Sequence, residues 1–272
     1  MTDRWSGYRN LERVAYRAWP SEETAEYDGW ILRSSGGYTK RANSVNPHFA
    51  STLPIHTKIA HCETFYAERG LPPIFRLTPF SRPEELDSVL AATGYTTLDP
   101  TLVMASPLDR IPEADSAEVR FPAAAEWLSA FEHLRGLPAE QCAPHRRIVE
   151  AAEGQRLFAL VQAGDAVVAC GLGILIEDIV GLFDLFTAES HRRRGHGRAV
   201  VHAILQAAKT ADARRSFLQV HSKNETAHRL YARFGFETAY PYWYRIAPES
   251  RRNQNPNAAA QQILLTESGS SA

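Results

Sequence analysis

Cysteine is scarce in this chain. Cys62, Cys142 and Cys170 are the three in 272 residues, scattered and without metal-ligand spacing. That excludes a disulfide scaffold and points to small core residues in a reducing compartment. Net charge is scarce too: 30 Lys and Arg face 31 Asp and Glu, leaving −1. A broad basic face for nucleic acid is therefore not expected. No apolar run approaches the roughly 20 residues that span a bilayer, and the Met1-Thr2-Asp3-Arg4-Trp5 start has no signal-peptide core. The expectation is a cytoplasmic protein with no membrane or nucleic-acid partner and no metal. The common nucleotide loops are missing as well. There is no Walker Gly-Lys-Ser/Thr, and Ala199 and Val200 follow the Gly195/Gly197 pair where a dinucleotide fingerprint has a third glycine.

What is present starts with an apolar content of 44%, enough for buried cores, in a length that suits two domains. The run Ile179–Thr187 reads as a strand. The basic, glycine-rich turn His191-Arg192-Arg193-Arg194-Gly195-His196-Gly197-Arg198 follows, and a helical pattern opens at the glycines. Free N–H groups at a helix start, beside arginines, suit a phosphate, and the glycines let it approach the main chain. The competing reading is a charged surface turn. Downstream, Ser216–His221 reads as a strand and Asn224 as an N-cap with Glu225 behind it. Ala227, Leu230, Tyr231 and Phe234 share one helix face, and Gly235 ends the helix. On spacing alone Tyr231 is a core aromatic and Asn224 simply a cap.

A strand, Arg-x-x-Gly-x-Gly, a helix, a strand, then Asn-x-x-Ala-x-x-x-Tyr-x-x-x-Gly-Phe resembles the GNAT superfamily of acyl-CoA-dependent N-acetyltransferases, over residues 117–247. The resemblance implies an α/β (α+β) fold with a mixed central sheet flanked by helices, and acetyl-CoA as donor. It implies that Arg192, Arg193, Arg194, Gly195, His196, Gly197 and Arg198 hold the pyrophosphate, largely through backbone N–H groups. Leu185, Phe186 and Thr187 would pair with the pantetheine arm, Asn224 would contact that arm, and Tyr231 would act as general acid at the thioester sulfur. Glu189 stands where the family often has proline. An acceptor ammonium must lose a proton before attack, and Asp184 is the first candidate base, with His221 second. Strand N–H groups at Leu185 or Phe186 would face the oxyanion.

The upstream pieces fit the same unit: a strand at Ala117–Phe121, helical patterns broken near Gly136 and Pro138, and a hairpin turning at Ala163-Gly164-Asp165. The first half echoes the second. A helix at His56–Arg69, the strand Ile74–Leu77, the stripe Leu86, Val89, Leu90, Thr93, then Gly94-Tyr95 and a strand at Thr101–Met104 repeat the order of the later motifs. Leu90 takes the place of Tyr231, and Asn46–Pro54 carries no glycine-rich basic loop. The expected organisation is a degenerate GNAT-like domain at 1–105, a linker at 106–116, the transferase domain at 117–247 and a polar, mobile tail at 248–272. Tandem architecture also resembles mycothiol synthase, though no residue pattern selects that substrate.

The expected reaction is direct acetyl transfer in a ternary complex to the primary amine of a small molecule, by a monomer or homodimer. A protein or peptide amine acetyltransferase and a non-catalytic acyl-CoA sensor are the alternatives. Trp30, Tyr38, Lys40, Arg41, Asn43 and Asn46 are first-half polar and aromatic groups. The Arg41–Asn46 run reads either as a pocket-facing strand or as a half-exposed edge.

Overall fold

The computed structural model describes residues 6–109, 111–112 and 118–248. The expected tail from 249 onward and part of the expected linker lie outside the described residues. The chain forms two compact units that are interleaved in sequence. Among the described residues, Trp19–Thr101 groups with Tyr240–Pro248, and Leu102–Ala239 with Ser6–Ala18. The sequence reading divided the chain in order instead, because a strand's own residues do not announce its partner.

In the first unit, β1 (Glu23–Tyr27) and β2 (Trp30–Ser34) form a hairpin. Asp28 and Gly29 close it, both at positive φ, as a two-residue turn requires. β3 (Val45–Asn46) pairs antiparallel with β2 and parallel with β4 (Ile74–Leu77), and α2 (Ile55–Ala67) makes the crossover. α3 (Leu86–Ala92) leads into β5 (Thr96–Pro107). The fifth strand of this sheet comes from β11 (Glu237–Ile246), whose Trp243–Ile246 pairs antiparallel with β4.

The polar Arg41–Asn46 run contracts to a two-residue strand behind a 3-10 turn at Lys40–Ala42. The Asn43 side chain accepts from the Ser35 and Gly37 amides at 2.7 and 3.1 Å and donates to Thr39 O at 2.8 Å. Those bonds divert the main chain from a longer ladder. The half-exposed edge reading gives way: β3 has a strand on each side, and Lys40, Asn43, Ser44 and Asn46 are buried.

The second unit has the order β5, β10 (Arg215–His221), β9 (Ile179–Thr187), β8 (Ala166–Ile176), β7 (Gln155–Ala163), β6 (Val119–Arg120). β5 lies beside β10, where Leu108 N donates to Arg214 O and Ser216 Oγ to Ser106 O. β6 to β9 are antiparallel, whereas β9 and β10 are parallel with α6 (His196–Thr210) as crossover. α4 (Ala124–Arg135), α5 (Ala139–Ala151) and α7 (Glu225–Ala232) complete it. The core runs through Leu157, Ala159, Leu182, Leu185, Val200, Ile204, Leu218, Ala227 and Tyr231. This is a mixed sheet flanked by helices, with the break between α4 and α5 at Gly136, which holds φ +60°. Among the described residues, no helix is long and apolar enough to cross a membrane.

The N-terminal residues, read from sequence only for their lack of a signal core, form α1 (Ser6–Ala18). Leu11, Val14, Ala15 and Ala18 make its buried stripe. Arg13 and Arg17 on this helix clamp Glu177, in the β8–β9 turn, at 2.7 and 2.8 Å. Hydrogen bonds from Arg13, then Arg17, pull the Glu177 carboxyl down to about 2. A folded-state value below the unfolded one, about 4.3, means the clamp contributes fully above that unfolded value. Its contribution is lost as pH falls toward about 2. Glu177→Gln is therefore expected to lower Tm at neutral pH, with the gap to the parent closing through that acid range. A gap that stays constant down to the acid end would show that the clamp is not what the variant removed.

Candidate active site

The site grows out of an irregularity in β9. Opposite β8, Leu172 pairs with Phe183 and Cys170 with Phe186, so β9 carries one extra residue between the two pairs. Asp184 sits in that bulge at φ +47°, in the left-handed region that Asp tolerates better than most residues. The paired register of β9 with β10 ends just before it, at Leu182↔Leu218. Beyond, Phe183–Thr187 and Gln219–His221 continue as strands with no ladder pair between them among the described residues. Two parallel strands that separate in this way open a wedge, and an extended amide-bearing ligand can pair with main chain along it.

The bulge aims the Asp184 carboxylate at α5. His145 Nε2 donates to Asp184 Oδ2 at 2.9 Å, with the His145 side chain wholly buried and Asp184 only 10% exposed. The imidazole stacks on Phe131, ring centroids 4.6 Å apart, and leans on Trp127 at 6.4 Å. Across the strand pair, the Cys170 thiol points at Asp184 O at 3.7 Å, and burial pushes that thiol's pKa well up, so it stays protonated. Sequence reading missed His145. The available signal was a histidine in the buried α5 stripe His145, Ile148, Val149.

At the end of β9 the chain turns through a 3-10 segment, Glu189–His191, into the basic loop. Arg192 Nε approaches Thr187 O at 3.4 Å, Arg193 takes φ +58°, and Gly195 caps α6 at φ +86°. The first bond of α6 is Ala199 N to Gly195 O at 3.0 Å. The amides of His196 and Gly197 thus have no partner inside the helix, and no acidic residue occupies its first turn. A Cβ at Gly195 would meet nothing within 4 Å, so glycine is needed there for conformation; at Gly197 a Cβ would come within 3.3 Å of Thr187 Oγ1. Arg192, Arg193 and Arg194 are exposed. Open amides, a positive helix end and exposed arginines fit a pyrophosphate. Burial, then His191 and Arg194, lower the pKa of His196 within this cradle.

The third part lies on α7. Asn224 caps it, Oδ1 accepting from Ala227 N at 3.1 Å. Tyr231, 2% exposed, packs against Phe236 at 5.9 Å, and burial raises its phenol pKa, so the hydroxyl stays protonated at neutral pH. That hydroxyl makes no hydrogen bond to the described residues. His221 is used within its own turn: Nδ1 accepts from Lys223 N at 3.2 Å, and its carbonyl accepts from His228 Nε2 at 3.1 Å. The wedge, the loop and α7 converge where Gly197 lies against Thr187 and Leu230.

The first unit repeats the helix after its β3, but the approach to α2 is closed. The Asp28 carboxylate accepts from Thr52 N, Thr52 Oγ1 and Leu53 N at 2.9–3.1 Å and pairs with Lys58 at 3.4 Å. Amides just ahead of the helix, those of Thr52 and Leu53 before the N-cap Pro54, hold an internal carboxylate here.

A family model described as "Probable histone acetyltransferase Rv0428c C-terminal" matches residues 6–245. The uncharacterized N-acetyltransferase YobR of Bacillus subtilis is 31% identical over 244 residues, covering 88% of this chain and 98% of that protein. Among solved structures, a GCN5-related N-acetyltransferase from Kribbella flavida has a TM-score of 0.67 at 16% identity, covering 95% of this chain and 98% of that one. A tandem GNAT protein from the clavulanic acid biosynthesis pathway has a TM-score of 0.59 at 15% identity, covering 88% and 87%. At such identities the two structures bear on fold.

Proposed function

The chain belongs to the GNAT family of N-acetyltransferases, in the group of the Rv0428c C-terminal domain, and from that premise we propose that it transfers the acetyl group of acetyl-CoA to a primary amine of a small molecule. The observation that carries the reading is the wedge after Leu182↔Leu218, with an open helix end at one side and the Asp184 carboxylate at its bulge. The α6 amides and Arg192–Arg194 would hold the pyrophosphate, and Leu185–Thr187 the pantetheine arm, with Asn224 beside it.

An amine of pKa near 10.4 is overwhelmingly an ammonium at neutral pH. Asp184 Oδ1 takes one proton from it, and the nitrogen lone pair attacks the thioester carbon. The carbonyl oxygen becomes an oxyanion facing strand N–H groups at Leu185 or Phe186. The C–S bond then breaks as C=O reforms. Of the two protons leaving nitrogen, one passes through Asp184 to water and one ends on the CoA sulfur. Tyr231 supports that last event as a hydrogen-bond donor to the sulfur. Its raised pKa makes outright transfer to a thiolate, of conjugate pKa about 8.5, uphill. Tyr231→Phe is expected to lower kcat on the order of tenfold while KM for acetyl-CoA barely moves. An unchanged kcat would remove Tyr231 from the mechanism.

The filled α2 approach and Leu90 in place of a tyrosine support one acyl-CoA site per chain, in the second unit. The family description favours a second reading, a protein lysine as acceptor. Free-thiol release from acetyl-CoA, screened over amino acids, amino sugars, polyamines and a lysine-bearing histone-tail peptide, separates the two. Release with the peptide alone would replace the small-molecule reading. Acetyl-CoA binding without release for any amine would make the protein a sensor.

A further inference from the structure

We infer that His145 is a positioning residue for the reaction, one that binds one oxygen of the Asp184 carboxylate and leaves the other aimed at the acceptor amine. The inference rests on Asp184 being the base. A bulge residue at φ +47° is set by its own backbone, but its side chain still has free torsions and needs a partner to fix it. His145 supplies that partner from a separate element, 39 residues earlier, through a 2.9 Å bond.

The imidazole is itself immobilised. Phe131 stacks on it with ring planes 29° apart, Trp127 leans on it, and Trp127 is anchored in turn by its Nε1 bond to Ala159 O at 3.2 Å. A phenylalanine or leucine would fill this aromatic slot without the desolvation cost of a buried imidazole. The polar ring is accounted for by the bond it makes. Because a carboxylate can only accept, His145 Nε2 carries the proton in this bond. The tautomer is therefore fixed, and Oδ1 is the oxygen left to receive the ammonium proton. Its charged and titratable surroundings are few. His145 faces it from α5 and the protonated Cys170 thiol from β8, while Arg135 of α4 lies 5.1 Å from the neighbouring Phe186 ring.

Positioning and packing are separable. His145→Phe keeps the ring and its stack but removes the donor, and His145→Gln keeps a donor nitrogen at similar reach without a titrating ring. Both are compared with the parent and with Asp184→Asn, using the fastest amine of the library, over a pH series, with Tm and KM for acetyl-CoA measured alongside. For His145→Phe the expectation is a kcat lowered by about 10- to 100-fold, KM for acetyl-CoA within about threefold, and an acidic limb of the pH profile moved upward. A carboxylate that loses a donor holds its proton more tightly. His145→Gln should recover most of the rate and return the limb. Parent-like kcat and limb in His145→Phe, with Asp184→Asn impaired, would overturn the positioning role alone. Equal loss in both His145 variants with raised KM would reduce His145 to packing. A parent-like Asp184→Asn would instead overturn the base reading itself. If His145→Phe proves unstable, His145→Gln decides: a retained Tm with an unmoved limb supports the inference, and a displaced limb opposes it.

Discussion

Asp184→Asn is expected to lower kcat by roughly two to four orders of magnitude, the usual worth of a positioned general base, with KM for acetyl-CoA close to that of the parent. The substitution is nearly isosteric. Asparagine tolerates the left-handed backbone as well as aspartate does, so the bulge at φ +47° should survive. The amide oxygen can still accept from His145 Nε2, at the 2.9 Å seen for Oδ2. What disappears is the ability to take a proton. The rate then depends on the neutral fraction of the amine, about one part in a thousand at pH 7.4 for a pKa near 10.4. The acidic limb of the profile should accordingly give way to a rate that climbs about tenfold per pH unit toward the amine's own pKa. A steady-state pH series from 6 to 10 on the parent and the variant measures this. A variant with parent-like rate and limb would assign the proton to another group, and His221 is poorly placed to inherit it, since Nδ1 already accepts from Lys223 N.

Gly195→Asp should weaken acetyl-CoA binding by about 100-fold or more while leaving the fold intact. The space is available, with nothing within 4 Å of a Cβ, and the backbone at φ +86° suits aspartate better than most other non-glycine residues. A carboxylate at an N-cap favours the helix by accepting from its first amides and by complementing its positive end. Those amides are the groups proposed to hold the pyrophosphate, so the substituent competes for them and repels the ligand as well. Losing two charge-assisted hydrogen bonds at about 1.5 kcal/mol each corresponds to about 100-fold in affinity. In the first unit a carboxylate already sits near a helix start, where Asp28 holds the Thr52 and Leu53 amides just ahead of α2. Calorimetric titration with acetyl-CoA and a melting curve check the two halves of the expectation. Loss of binding together with a collapse in Tm would show that the loop tolerates no cap. Unchanged binding would show that the ligand's phosphates do not meet this helix end.

Residues whose chemistry is local were legible in the sequence. Asn224 as a cap, the two glycines opening α6, the Gly136 break and the Ala163-Gly164-Asp165 turn each depend on a side chain, or its absence, acting on the nearest few residues. Features that depend on two distant segments were not. The bulge at Asp184 leaves the apolar run Ile179–Thr187 looking unbroken, because one extra residue changes pairing without changing composition. His145 meets Asp184 only because α5 folds over β9, and a single histidine on a helix carries no sign of its partner. α1 was overlooked since attention to what the N-terminus lacks conceals its Leu11, Val14, Ala15, Ala18 stripe. The short β3 shows the reverse error, in which a polar run was granted a strand that Asn43's own hydrogen bonds consume.

The routing of β5 and β11 bears on how the protein is made. The sheet that begins at Glu23 receives its last strand from Trp243–Ile246, among the last described residues to leave a ribosome. Until then Ile74–Leu77 presents an unpaired edge to whatever else is nearby. The first unit therefore cannot mature while the second is still being translated, although its own residues emerged long before. A contact across so much chain carries a large loop-closure cost and is formed late. A nascent chain stalled just short of Trp243 would hold the second unit through Ala239 but leave the first without its last strand, and a break in the chain between them would leave each half holding a strand that belongs to the other.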